Sequence, residues 1–103
     1  MKSSEKHAVT IDEIRQKATP ILKGAGITRS AVFGSVARGE AGEESDIDIL
    51  IDLDPQKKFS LFDLVHLQRE LGEALGRNVD LVTRRSIYPP LKKHIERDEV
   101  AIF

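Results

Sequence analysis

Cysteine is absent from this sequence, which excludes disulfides and thiolate metal sites and suits a reducing cytosol. Long apolar runs are absent too. No segment has transmembrane length and the start, MKSSEKHAVT, is too polar for a signal peptide, so a cytoplasmic protein with no membrane contact is expected. Neither sign of charge dominates: 16 Lys and Arg stand against 17 Asp and Glu, a net charge of −1. Such a chain has no broad field to gather DNA or RNA, and any polyanion must be met locally. Internal repeats, low-complexity segments and linkers are also missing. Residues 1–103 therefore read as one small domain with one modest core, residues 1–8 being frayed.

The informative stretch runs from Ala31 to Asp52, AVFGSVARGEAGEESDIDILID. A short apolar run, Ala31-Val32-Phe33, halts at Gly34-Ser35. A second, Ile49-Leu50-Ile51, is entered through Ser45-Asp46-Ile47-Asp48. The pattern predicts a strand, a tight turn, a short helical turn over 35–38, a polar loop over 39–45 and a strand carrying two carboxylates. Alternation puts Asp46 and Asp48 on one face of that strand and Ile47, Ile49 and Ile51 on the other. Carboxylates held together repel and lose hydration, so a fold that does this usually supplies a cation. Oxygen ligands with no Cys or His nearby favour a hard ion, Mg²⁺ or Mn²⁺. Gly34 can take positive φ and let the backbone approach a ligand. The N–H groups of the following turn and the Ser35 hydroxyl can then meet phosphate oxygens, with Arg38 as a cationic clamp. A phosphate cradle ahead of a metal-binding D-x-D is the equipment for nucleotidyl transfer.

Elsewhere the chain alternates helices and strands. Thr10-x-x-Glu13 reads as a capping box opening a helix, with Ile11, Ile14, Ala18, Ile21 and Leu22 as its core stripe. Pro20 is expected to kink that helix, and Gly24-Ala25-Gly26 to close it. A strand over 28–33 leads into the central stretch. Asp54-Pro55-Gln56-Lys57-Lys58 makes a turn, and Ser60 with Asp63 caps the next helix. Its inner face is traced by Leu61, Leu64, Val65, Gln68, Leu71 and Leu75, the polar Gln68 being the exception, and Gly76 ends it. The strand Val79 to Thr83 follows. Pro89-Pro90 starts a last helix with Leu91 and Ile95 inward, and Val100-Ala101-Ile102-Phe103 is either a final strand or a strip that docks elsewhere. A helix between the second and third strands permits a crossover and a mixed sheet.

Gly34-Ser35, ten residues, then Asp46-Ile47-Asp48 resembles the signature of the DNA polymerase β-type nucleotidyltransferase superfamily. The fuller wording, GSVARGE followed by SDIDIL, looks like its smallest members, the minimal nucleotidyltransferases (MNT). Asn78-Val79-Asp80-Leu81-Val82 looks like the strand that carries the family's third acidic residue, so the resemblance covers nearly the whole chain. It implies a small α/β (α+β) palm, a mixed β-sheet with helices packed on it. It also implies catalytic, metal-holding carboxylates at Asp46, Asp48 and Asp80, nucleotide contacts at Gly34, Ser35 and Arg38, a divalent ion (Mg²⁺ or Mn²⁺) and an NTP, ATP being expected. Larger relatives carry an acceptor-binding domain; 23 residues follow Asp80 here, so the acceptor is expected on a shallow surface or on another chain. Minimal members commonly occur with a small helical HEPN partner, a ribonuclease-like toxin. The resemblance then implies an antitoxin that transfers AMP to a tyrosine of that partner.

Plainer readings stand beside these. Asp46 and Asp48 could be the solvent face of an amphipathic strand, and Asp80 an exposed residue of an edge strand. Arg38 reads equally well as a surface arginine paired with Glu40 or Glu43. His7, His66 and His94 have no metal-ligand spacing and read as surface residues. Asp52 shares the phase of Asp48 but lies at the far end of its strand, Ser45 orders the loop before Asp46, and Tyr88 reads as a packing residue. Two other functions compete with transfer to a partner: a non-catalytic antitoxin acting by occlusion, and a transferase for a small molecule.

Overall fold

Two capping boxes set the two longest helices. A computed structural model describes residues 9–40, 42 and 46–103. In it Thr10 accepts from the Glu13 N–H while Glu13 reaches back to the Thr10 N–H, opening α1, Ile11–Gly24. Ser60 and Asp63 do the same for α3, Leu61–Leu75, which ends at Gly76 with φ +66°. Pro20 lies inside α1 rather than ending it. Between these helices run β1, Ile27–Phe33, the single-turn α2, Gly34–Ala37, and β2, Ile47–Leu53. After α3 come β3, Val79–Thr83, a 3₁₀ turn at Arg84–Ser86, α4, Pro89–Asp98, and β4, Val100–Ala101. The expectations for residues 1–8, His7, Glu43 and Ser45 lie outside the described residues.

The four strands form a mixed sheet in the order β3-β2-β1-β4. β1 and β2 are antiparallel, with Phe33 opposite Asp48. The α3 crossover returns the chain so that β3 runs parallel to β2, with Ile47 opposite Val79 and Asp48 opposite Asp80. α1 and α3 cover one face of this sheet. Ile14, Ala18 and Leu22 of α1 and Leu67, Leu71 and Leu75 of α3 close over Val32, Ile47, Ile49 and Ile51. Burying these side chains is the main drive to fold, each contributing about 1.5–3 kcal/mol before entropy is counted. The 3₁₀ turn lies against β2 and α4 against α2.

The expectations for α3 and α4 need correction. The inner face of α3 is centred on Leu67, while Leu61 and Val65 are 72% and 57% exposed. Seven residues, LFDLVHL, place apolar side chains all round the first turns, and which of them face the sheet is decided by the docking angle, which periodicity does not supply. Leu91 is 51% exposed although it shares the side of Ile95, and Tyr88 is exposed rather than packed, because the ion pairs that tether α4 lie at its end. Of the two readings of the C-terminal strip, the structure takes the final strand, β4. Val100 and Ala101 pair with Val32 and Ala31, Ser30 exchanges backbone hydrogen bonds with Ile102 and Phe103, and Ile102 is buried in the main cluster.

Candidate active site

Alternation along β2 sends Ile47, Ile49 and Ile51 into the core and leaves Asp48 and Asp52 half-buried on the opposite face. Asp46, just ahead of the strand, is exposed. The Ile47 N–H donates to the Asn78 carbonyl (2.9 Å), which aligns the start of β2 with the start of β3. Asp80 then stands beside Asp48 in the parallel ladder. Gln68 of α3 anchors this edge strand: its Oε1 accepts the Leu81 N–H at 3.0 Å. That explains a polar residue on an otherwise apolar helix face. The periodicity marked Gln68 as an exception without showing what it holds.

Gly34 supplies the second wall. Its φ is +76°, a conformation glycine alone adopts freely. A Cβ built there would run into the Asp48 carboxylate, with Asp48 Cγ only 3.1 Å away. Backbone and carboxylate therefore approach as closely as they do because position 34 has no side chain. The turn is closed by the Arg38 N–H on the Gly34 carbonyl (3.1 Å) and the Glu40 N–H on the Ser35 carbonyl (2.9 Å). The Ser35 hydroxyl has no hydrogen-bond partner among the described residues.

Electrostatics follow from this crowding. Burial pushes the Asp48 carboxyl above the usual carboxylate range, and the negative charges of Asp80 and Asp46 push it further; Arg38 opposes them. The carboxylates of Asp46 and Asp80 have no hydrogen bond or ion pair among the described residues. An oxygen-only donor set with mutual repulsion fits a hard divalent cation. Among the described residues no three His, Cys, Asp or Glu side chains close on one point. The carboxylates thus share a neighbourhood rather than a finished cage.

Arg38 sits at the edge of this group. Its Nε bonds Glu40 (3.0 Å) and its Nη1 lies 3.5 Å from Asp98 of α4, so it is ion-paired here, as the plainer reading anticipated for Glu40. The Glu40 hydrogen bond raises its pKa, against a smaller cost of burial. Asp52 lies in a different cluster. Arg84 bonds Asp52 through Nε (2.8 Å) and Glu99 through both Nη atoms (3.1 and 3.0 Å), tying β2 to the end of α4. These hydrogen bonds, to Glu99 first, raise the Arg84 pKa. Nothing in the sequence pointed to Arg84 or Asp98, since neither pairing is local.

The fold, with a carboxylate pair on adjacent strands against a glycine turn, defines a nucleotidyl-transferring palm. Residues 10–102 match the nucleotidyltransferase domain family, and the chain belongs to it. A Methanocaldococcus jannaschii protein provisionally named a protein adenylyltransferase is 47% identical over 94 residues, covering 91% of this chain and 99% of that one. The protein adenylyltransferase MntA of Thermococcus cleftensis is 36% identical over 98 residues, covering 91% and 97%. Among solved structures, one provisionally named a minimal nucleotidyltransferase is 33% identical with a TM-score of 0.75, covering 89% of this chain and 95% of that one. The fold is also shared, at 21% identity, a TM-score of 0.70 and coverage of 91% and 72%, with a chain in the structure of a tri-AMPylated Shewanella oneidensis HEPN toxin bound to its MNT antitoxin. No helix among the described residues is long and apolar enough to cross a membrane.

Proposed function

We propose that this chain transfers AMP from ATP to a hydroxyl of a partner protein, and that it serves as the antitoxin of a helical HEPN-type toxin. The observation that carries the catalytic part is the setting of Asp48, with Gly34 on one side and Asp80 on the other. Each residue has a separate task. The Gly34-Ser35 turn receives the triphosphate, its lack of a side chain letting phosphate oxygens come close to Asp48, while Ser35 donates its unengaged hydroxyl. Arg38 exchanges its pairing with Glu40 and Asp98 for a phosphate oxygen. Asp46 and Asp48, joined by Asp80, would hold Mg²⁺, which supplies charge neutralisation of the triphosphate and a lower pKa for the acceptor hydroxyl. Asp80, exposed at the edge, faces the entering acceptor. The acceptor oxygen forms a bond to the α-phosphorus, the bond from that phosphorus to the bridging oxygen breaks, pyrophosphate leaves, and the hydroxyl proton is released to solvent. The protein contributes position and charge rather than a covalent intermediate.

The names of the curated relatives support adenylyl transfer to protein, and the fold neighbour bound to an AMPylated toxin supports the choice of partner. Purified full-length protein is tested with α-labelled ATP, Mg²⁺ and a HEPN-type protein encoded beside it. Label is expected on that protein, and the double replacement Asp46→Asn, Asp48→Asn is expected to abolish transfer. Equal ATP affinity with Mg²⁺ and in EDTA would sink the metal-bridged site, and a double variant that still labels its partner would sink the assignment of these carboxylates.

A further inference from the structure

The side of the molecule away from the carboxylates has an unpartnered feature of its own. α1 and α3 cover that face of the sheet, and between the end of α1 and the start of α3 lies an open groove of about 630 Å³. Ile21, Phe59 and Leu67 give it an apolar lining, while Lys58, His66 and Glu70 stand exposed along it. Phe62, on the same helix, is 86% exposed, more than any other large apolar side chain among the described residues. Leu61 and Val65 are exposed as well. Single apolar residues on a surface need no explanation, but a cluster beside an apolar groove marks a contact surface. The charges along the groove are open to outside partners. Glu70 meets His66 at 3.9 Å, and Lys58 has no ion pair among the described residues.

We propose that a second copy of this chain docks here, the Phe62 ring of each copy seated in the groove of the other. Ridge and groove lie on one molecule, one helical turn apart, since Phe62 precedes the groove-lining His66 by four residues. A two-fold interface requires such self-complementarity: what one copy offers, the other receives. Charge selects the same pairing. With the two α3 helices antiparallel, an axis at Leu64 sets each Phe62 against His66 of the other copy. The same axis sets each Lys58, just ahead of the helix, against the other Glu70, and each Arg69 against the other Phe59. Lys58 and Glu70 do not pair within one copy, so each is available to the other across the interface. Sliding one copy by a turn would set Phe62 on Glu70 and His66 on its own counterpart, and both matches would be lost. The active site stays open in such a dimer. Asp48 and Asp80 lie on the opposite face of the sheet from α1 and α3, so each copy keeps its carboxylates clear for nucleotide and acceptor.

Sedimentation velocity of the full-length protein without nucleotide tests the inference. Because a contact of one helix with one groove lies at the small end of specific interfaces, the range to cover is about 10–500 µM. A reversible dimer is expected. Phe62→Asp is expected to weaken association about tenfold or more. The same change should leave Mg·ATP affinity and the melting temperature of dilute protein unaltered, an acid being favourable near a helix start. Lys58→Glu and Glu70→Lys are each expected to weaken the dimer about three- to tenfold, and both together in one chain to restore it. A wild-type chain that stays monomeric throughout would overturn the proposal and leave the groove to a different protein. A dimer unmoved by Phe62→Asp would place the contact elsewhere. A double reversal no tighter than the single ones would refute the antiparallel pairing.

Discussion

Asp48 and Asp80 stand side by side across two parallel strands, in register between β2 and β3. Like charges at such a position are unfavourable unless a cation is shared between them. The strain shows in Asp48, whose carboxyl is raised by burial and then by Asp80 and Asp46. The register is not incidental. It depends on the crossover through α3 and on the hydrogen bond from the Leu81 N–H to Gln68. A slip of one residue would turn Asp80 toward the core and Leu81 toward the site.

Gly34→Ala tests the other wall. A left-handed conformation costs a residue with a Cβ roughly 1–2 kcal/mol, and the new methyl must also displace the Asp48 carboxylate. A modest fall in melting temperature is expected, together with loss of ATP binding and transfer well beyond what the lost stability explains. Normal transfer in a folded Gly34→Ala protein would show that the close approach of this backbone to Asp48 has no chemical use.

The raised pKa of Asp48 makes a signed prediction about pH. The folded protein holds the Asp48 proton more tightly than the unfolded chain does, so this residue penalises the folded state at neutral pH. The penalty is relieved as pH falls through the raised value and is gone below the ordinary carboxylate range. Asp48→Asn should therefore raise the stability of the nucleotide-free protein at neutral pH, and the gain should shrink to nothing on acidification. Denaturant midpoints of both proteins across that range measure it. A gain independent of pH would mean that charge is not its source.

The C-terminal strip belongs to the sheet and to the core. Ile102 is buried in the main cluster and Arg15 donates to the Ala101 carbonyl from α1 at 2.9 and 3.1 Å. Ile102→Ala should cost about 2–4 kcal/mol, the usual range for removing a buried aliphatic chain. Removing Val100–Phe103 should unfold much of the protein rather than merely free a partner. A truncated chain that melts like the intact one would restore the strip as a docking segment.

Local signals in the sequence carried most of the fold. Thr10 with Glu13 and Ser60 with Asp63 mark helix starts because a cap is satisfied within three residues of chain. Ile47, Ile49 and Ile51 mark a strand because alternation is a property of the backbone. What was not legible depends on distant contacts. The choice of Leu67 over Leu61 and Val65 is made by the angle at which α3 lies on the sheet. Arg84 draws its partners from β2 and from the end of α4, segments 32 and 15 residues away. Of the candidate site, the spacing from Gly34 to Asp48 was readable from motif alone. The matching of Asp48 with Asp80 needed strand order and register, which the sequence suggests through the α3 crossover but does not state.

Asp80 provides the most discriminating prediction. If Asp46 and Asp48 hold the nucleotide's ion, Asp80 acts mainly on the acceptor side. Asp80→Asn should then leave Mg·ATP binding within a few-fold while cutting transfer by roughly 10²–10⁴, the size expected when hydroxyl activation is lost. An exposed edge-strand aspartate with no chemical part would instead give near-normal transfer and a stability change within about half a kcal/mol. The ladder supplies a further readout that does not depend on turnover. Because Asp80 is the largest charged contributor to the raised pKa of Asp48, its replacement should bring the Asp48 carboxyl down toward the ordinary range, measurable by carboxyl NMR titration. Single-turnover transfer, nucleotide binding and that titration together separate the roles. A lowered Asp48 pKa with unchanged transfer would make Asp80 a neighbour only, and equal loss of binding and transfer would move it into the nucleotide site.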